Sequence, residues 1–349
     1  MKRELRRYKY LITVLICLLI WFNSTEAIFT KLGKAGMPFL KIGIGSRANG
    51  LGDAFVAIAD DVSATYWNPA GLAILKNREV MFNHIDWILQ TRLEYLAGAF
   101  PTNLGTFGIA LTNVSYGDFE QTTIDNYQGT GEYFSAADWA LVASFARMFT
   151  DKFSFGASIK TMQQRIWDMT ANAFAFDFGT YYNTGFKNIR LAMTISNFGP
   201  DASFSGKQLY FNYYPDYGWP WTVTPIQSEL LTEKFILPII FRFGVAYDIF
   251  QIEDKSRLTM AIDLAHYNDV NEKVNIGLEY EYLNFAVRGG YILNTDSEYR
   301  NAVGVSDGLS FGTGAWINAT SQLKLKVDYA YRNLSRLGIS HRIGVNIGF

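Results

Sequence analysis

Cysteine is almost missing from this chain. The single one in 349 residues, Cys17, sits in a leader-like segment, so the rest can form no internal disulfide. Long apolar runs are missing too. Beyond the first 27 residues no stretch approaches the roughly 20 apolar residues of a membrane-crossing helix. A basic excess is absent at a net charge of −1, which removes the electrostatic argument for nucleic acid. The three histidines, His84, His266 and His341, fall on separate segments without cysteine partners or an HExxH pattern, so no metal site is expected. No Gly-x-Ser-x-Gly elbow occurs, and Ser340 and His341, adjacent on a strand, would face opposite sides. Gly43–Ala48 loosely matches a dinucleotide fingerprint but lacks the strand–helix–strand unit around it. We expect neither an enzyme nor a cofactor.

What is present is an unusual mixture. The chain is 49% hydrophobic and 16% aromatic, yet its mean hydropathy is only +0.02. Apolar residues must therefore be interleaved with polar ones. The last segment shows how. Leu337, Ile339, Ile343, Val345, Ile347 and Phe349 share one side, while Gly338, Ser340, Arg342, Gly344, Asn346 and Gly348 share the other. The same period of two runs through 323–332, 258–265, 273–280 and 173–179. Alternation alone does not say whether the apolar side faces a protein core or lipid. Segments of ten or more residues favour lipid, as do charges recurring on the second side and a terminal aromatic, Phe349, of the kind that signals barrel insertion.

Fourteen strands are expected, at 79–88, 91–101, 104–115, 137–149, 152–165, 172–182, 189–197, 236–249, 257–267, 273–282, 284–293, 308–317, 321–331 and 337–349. An even number places both barrel ends on one side. Short connections then collect on that side and the long ones, 116–136, 198–235 and 294–307, on the other, with Leu89-Gln90 the short exception. The expected fold is an all-β, 14-stranded antiparallel transmembrane barrel with a short helical N-terminal plug. Residues 1–27 read as a signal peptide: five bases up to Lys9, an apolar core at 11–22 and cleavage after Ala27. Residues 28–77 form the plug and 78–349 the barrel.

Within the plug, Ser46 can cap a helix that places Ala48, Leu51, Phe55 and Ile58 on one face, shortened by Gly50 and Gly52. Asp60-Asp61 suits a second helix start, exposed to solvent, and Asn68-Pro69 forces a break. These residues carry a resemblance. Gly45-Ser46-Arg47-Ala48, Leu51-Gly52-Asp53-Ala54, Ala59-Asp60-Asp61 and Tyr66-Trp67-Asn68-Pro69-Ala70-Gly71-Leu72 resemble the N-terminal signature of PorV/PorQ-type outer-membrane proteins. That family is similar in fold to the FadL-type long-chain fatty acid transporters. The resemblance implies an outer-membrane barrel of a Gram-negative bacterium, surrounded by outer-membrane lipid, with Asn68, Pro69, Ala70 and Gly71 as the plug motif.

For function, the resemblance implies a surface component of type IX secretion that contacts secretion proteins and their cargo. The alternative is a FadL-like channel for a hydrophobic ligand, and a purely structural barrel is the third reading. Lys160, Asp177, Asp263, Arg288, Lys324, Asp328 and Arg342 are expected in the lumen, pairing across the barrel. The 198–235 loop, rich in tyrosine and tryptophan, reads either as an aromatic lid or docking surface, or as a loop folded on itself over the mouth. Trp87, Trp139, Trp167, Tyr181, Tyr247 and Tyr267 are candidates for interfacial girdles.

Overall fold

The period of two dictates the architecture, because each strand can bury only one of its faces. A computed structural model describes residues 33–186, 188–214, 224–252, 255–295, 308–318, 320 and 323–349. The leader-like segment, Tyr217, Trp219 and Trp221 lie outside these. Fourteen strands form the wall. They are β1 (Glu79–Asp86), β2 (Arg92–Thr102), β3 (Gly105–Glu120), β4 (Tyr133–Thr150), β5 (Phe153–Ile166), β6 (Met169–Asn183) and β7 (Arg190–Phe198), then β11 (Ile240–Ile252), β12 (Ser256–Tyr267), β13 (Lys273–Tyr282), β14 (Phe285–Asn294), β15 (Leu309–Asn318), β16 (Lys324–Asn333) and β17 (Ile339–Gly348). Every neighbouring pair is antiparallel, and β1 closes the barrel against β17, Glu79 opposite Gly348. Three short strands, β8 (Phe204–Gly206), β9 (Tyr210–Tyr213) and β10 (Ile226–Glu229), belong to the long connection between β7 and β11.

The apolar face looks outward. On β3, Phe107, Ile109 and Leu111 are 46%, 51% and 43% exposed, whereas Thr106, Ala110 and Thr112, of the opposite parity, are buried. Ile343 and Val327 are likewise exposed. This is the surface of a barrel set in lipid. The band stops at a row of polar side chains, one per strand, over six strands. Asn172, Gln163, Trp139, Asn113, Glu94 and His84 are successive cross-strand partners. Gln163 Nε2 donates to Asn172 Oδ1 at 2.8 Å, Trp139 Nε1 donates to Gln163 Oε1 at 3.1 Å, and His84 Nδ1 lies 2.6 Å from Glu94 Oε1. Above this row β3 and β4 run on past Ser115 and Ala137 to Glu120 and Tyr133, and β5 and β6 to Ile166 and Met169.

Both barrel termini lie at one end, which by the rule for bacterial barrels is periplasmic. Its turns are short, whereas the other end carries the long connections as well as the tight turns at Leu89-Gln90 and Trp167-Asp168. Trp139 and Tyr247 point outward, but three girdle candidates do not. Trp87 and Tyr267 line a cavity at the outer end and Tyr181 faces the lumen, because each has the parity of the inward residues or sits at a turn. In the long connection, Ala202 pairs with Phe235 and the rings of Phe204 and Phe235 pack at 5.7 Å, so its roots are tied down. Tyr210, Phe211, Tyr213 and Tyr214 near its tip are exposed.

Candidate functional site

The lumen is lined largely by small residues. Ala99, Ala146, Ala171, Ala175, Ala246 and Ala330 have no exposure at all, because the N-terminal segment fills the space they leave. That segment enters at the outer end, where Gly33 N donates to Asp269 O at 3.3 Å, Gly36 N donates to Ile236 O at 3.1 Å and Lys41 Nζ meets Asp269 Oδ2 at 2.6 Å. It crosses the middle as a one-turn helix, Ser46–Gly50, and a series of turns. It leaves at the inner end, where Arg78 and Phe349 exchange backbone hydrogen bonds.

Ser46 does not cap this helix. It is the first helical residue, and Gly45 at φ 90° takes the cap position without a side-chain bond. The hydroxyl instead accepts from Asn83 Nδ2 on β1 at 3.3 Å. Ala48, Leu51, Phe55 and Ile58 are all buried, although the helix ends before the last three. The chain touches the wall where the wall has no side chain. A Cβ on Gly290 would stand 2.0 Å from Gly52 N, and one on Gly277 2.6 Å from Leu51 O.

The Asn68–Gly71 motif is an anchor of the same kind. Asn68 breaks the Ala64–Trp67 helix in extended geometry (φ −159°, ψ 100°). Its Oδ1 accepts from Ala70 N, and its Nδ2 donates to Val56 O and to Thr180 O on β6, each at 3.1 Å. Pro69 then lies on Gly156 of β5, where a Cβ would be 2.4 Å from the Pro69 carbonyl carbon. Gly179 is equally bare, with a Cβ there falling 2.1 Å from Asn68 Oδ1. Ser154 Oγ donates to Ala70 O at 3.0 Å, and Gly71 sits against Ala59 O.

Charges complete the attachment. Arg47 donates through Nε and Nη2 to both oxygens of Glu279 on β13, at 2.9 and 2.8 Å, and through Nη1 to Asp60 and Asp61. Glu279 also holds Arg288 at 2.6 Å, which holds Asp328 at 2.7 Å. Asp60-Asp61 is therefore not a solvated helix start: Asp61 Oδ1 accepts from Ser63 N, and both carboxylates neutralise Arg47. Burial alone would raise the Asp60 carboxyl, but Arg47 and Arg257 outweigh it and hold it below its ordinary value. Asp263 Oδ2 accepts from the backbone N–H of Phe55 and Val56 at 2.7 and 2.8 Å. Arg332 holds Asp53 at 2.8 Å.

The expected lumen residues thus fall into three groups. Arg288, Asp328 and Asp263 join or flank the plug attachment. Lys160 pairs with Asp177 at 2.6 Å and donates to Asn197 Oδ1 at 2.9 Å, bracing the short β7. Arg342 donates to Gly43 O under the ring of Trp87. Lys324 stands apart at the inner rim, exposed and lining the inner vestibule, with Nζ 5.3 Å from the Trp316 ring. Among the described residues no three His, Cys, Asp or Glu side chains gather as a metal site would need.

Two spaces remain. At the outer end a cavity of about 540 Å³ has Pro38, Phe39, Ile42 and Gly43 of the plug as its floor. Trp87, Ile88, Tyr116, Tyr267, Val270, Ile292, Leu334 and Leu337 form its sides, with Lys41, Asp53, Lys273 and Arg332 among them. At the inner end a charged vestibule of about 270 Å³ lies between Asp60, Asp61, Arg257, Lys324 and Lys326. The plug separates the two. Sequence reasoning located the plug but not the cavity, whose lining comes from eight separate segments.

Similar folds exist. The chain resembles the Pseudomonas putida toluene transporter TodX (TM-score 0.55, 14% identity, 88% of this chain and 96% of that one). It resembles the Ralstonia pickettii toluene transporter TbuX (0.52, 11%, 88% and 97%) and a Pseudomonas aeruginosa FadL homologue (0.52, 13%, 87% and 98%). Residues 24–169 match the model of an uncharacterised protein family, UPF0164. Comparison with curated proteins finds no match. The molecule is an outer-membrane β-barrel of FadL-like fold.

Proposed function

We propose that this barrel passes small hydrophobic molecules from the outer end toward the periplasm, as FadL-type channels do, with the N-terminal segment as its gate. The observation carrying this reading is the outer cavity: an apolar pocket of about 540 Å³, within the usual range for small-molecule sites, whose floor is the plug itself. A ligand seated there touches Phe39 and Ile42, so its binding energy can act on the segment that blocks its path. The fold shared with two toluene transporters and a FadL homologue supports the reading. The type IX secretion role rests on the PorV/PorQ resemblance alone, and among the described residues no cavity, charge pattern or surface favours it.

The test locks the gate. Ala35 and Ile236 are bridge partners, so Ala35→Cys with Ile236→Cys places two thiols within disulfide reach. Uptake of a hydrophobic tracer into barrel-bearing vesicles should fall when the pair is oxidised and recover on reduction. Uptake equal to that of barrel-free vesicles in the reduced protein would overturn the proposal.

A further inference from the structure

We propose that the outward face of β2 to β5 holds one lipid of the outer leaflet, whose sugar head group carries a phosphate at each end. The site lies on the lipid side of the wall, apart from the plug and the outer cavity.

One rung of the sheet defines its head-group end. Arg92, Ser115, Ala137, Arg165 and Thr170 are successive cross-strand partners from β2 to β6. They share the parity of the exposed residues Leu96, Leu111, Leu141, Ile159 and Phe174, so they face away from the lumen. Both guanidiniums are exposed, and they stand three strands apart, about 14 Å at the usual strand spacing. Ser115 and Ala137 between them are small. Among the described residues no other Arg or Lys faces outward at the outer end of a wall strand. Arg147 faces outward on β4, but at the inner end.

Neither guanidinium is satisfied by a carboxylate of the wall. Arg165 Nη2 donates to Ser135 Oγ at 3.3 Å. Asp86, opposite Arg92 on β1, and Glu94, next outward on β2, both turn to His84, at 3.3 and 2.6 Å. Asp118 is paired higher on β4, with Ser135.

The two levels below suit the rest of such a molecule. Directly beneath the arginines is the polar row, where exposed Asn113 and the Gln163 amide present donors and acceptors to sugar hydroxyls. Leu96, Leu111 and Leu141 form the next rung and begin an apolar groove of about 370 Å³, which Val80, Gly98 and Ile109 continue. Gly98 faces outward without a side chain and so leaves room for an acyl chain. A guanidinium takes a phosphate through two parallel hydrogen bonds. One phosphate does not span the distance between the arginines, whereas two at opposite ends of a sugar head group do. A neutral lipid fills the groove and leaves both arginines in want of an anion, which is how the face distinguishes head groups over the same tails.

The experiment titrates the full barrel, stripped of lipid in detergent, with diphosphoryl lipid A and with its monophosphoryl form, and counts bound lipids by native mass spectrometry. Wild type should take one diphosphoryl lipid A, about tenfold more tightly than the monophosphoryl form, as one charge-assisted contact implies. Arg92→Gln and Arg165→Gln should each bring the diphosphoryl form down to the monophosphoryl level. Arg147→Gln should change neither. Gly98→Leu, which fills the groove, should weaken both forms alike. Heat-shifted gel mobility reports whether each variant folds, and if an arginine variant does not, the wild-type ratio decides by itself. Equal affinity of the two forms for wild type overturns the proposal. A loss in Arg147→Gln as large as in Arg92→Gln also overturns it, by reducing the attraction to overall charge. Tracer uptake does not enter either comparison, so the channel reading stands or falls separately.

Discussion

Arg47 and Glu279, 232 residues apart in sequence, meet through two hydrogen bonds of 2.9 and 2.8 Å and so tie the plug to the wall. Neither is free to leave alone, because a buried charge without its partner is destabilising by about 3–5 kcal/mol. Glu279→Gln should loosen the plug, seen as higher conductance in planar bilayers with the heat-shift of the barrel retained. A closed variant with wild-type conductance would remove the tie from the account.

The glycine contacts predict a steric effect. Gly179→Ala adds a Cβ that would stand 2.1 Å from Asn68 Oδ1. It should unseat the Asn68–Gly71 anchor and raise protease sensitivity within the plug. Asn68→Ala should act in the same direction by deleting three hydrogen bonds, each of about 1 kcal/mol net. Limited proteolysis followed by mass mapping distinguishes either from wild type.

Acid should open the plug from its inner end. Asp60 is held below its unfolded value of about 3.9, so its contribution to plug stability is complete above that pH and is lost as pH falls through the lower folded value. The part of the conductance governed by Asp60 should rise as pH falls below about 4. Asp60→Asn should be looser at neutral pH and should lose part of the acid response. An identical acid profile in that variant would assign the response to other groups.

The lipid band predicts an asymmetry between two exposed positions. Ile109 lies at the centre of the exposed row on β3, so Ile109→Arg should cost about 2–4 kcal/mol of barrel stability, measured by urea titration in lipid vesicles. A charge placed instead at exposed Ile124, on the outer connection, should cost nothing measurable.

How much of this was legible in the sequence follows from what each signal depends on. All fourteen wall strands show as alternation because one face meets lipid. Where the wall rises above the Asn172–His84 row the alternation ends, and there the expected boundaries are wrong. β3 runs to Glu120 and β4 starts at Tyr133, against expected limits of 115 and 137. The break at Asn68-Pro69 was readable because proline acts locally. The partners of Arg47, Asn68 and Arg342 were not, since each lies on a distant strand and pairing follows from barrel closure. Ser46 misled for a related reason: a hydroxyl at a helix start suits a cap, yet the wall's Asn83 claimed it. The inward alanines and glycines were visible as a small-residue face, but only the filled lumen explains why they are small.

Those alanines settle what kind of object the plug is. A pore meant to stand open would be lined by side chains content in water. This one is lined by methyl groups and by charges of which Glu279, Asp269 and Arg332 find partners on the N-terminal segment. Withdrawn whole, that segment would leave a hydrophobic tube studded with orphan charges. In the proposed channel, opening is therefore a partial displacement at one edge of a shared interior.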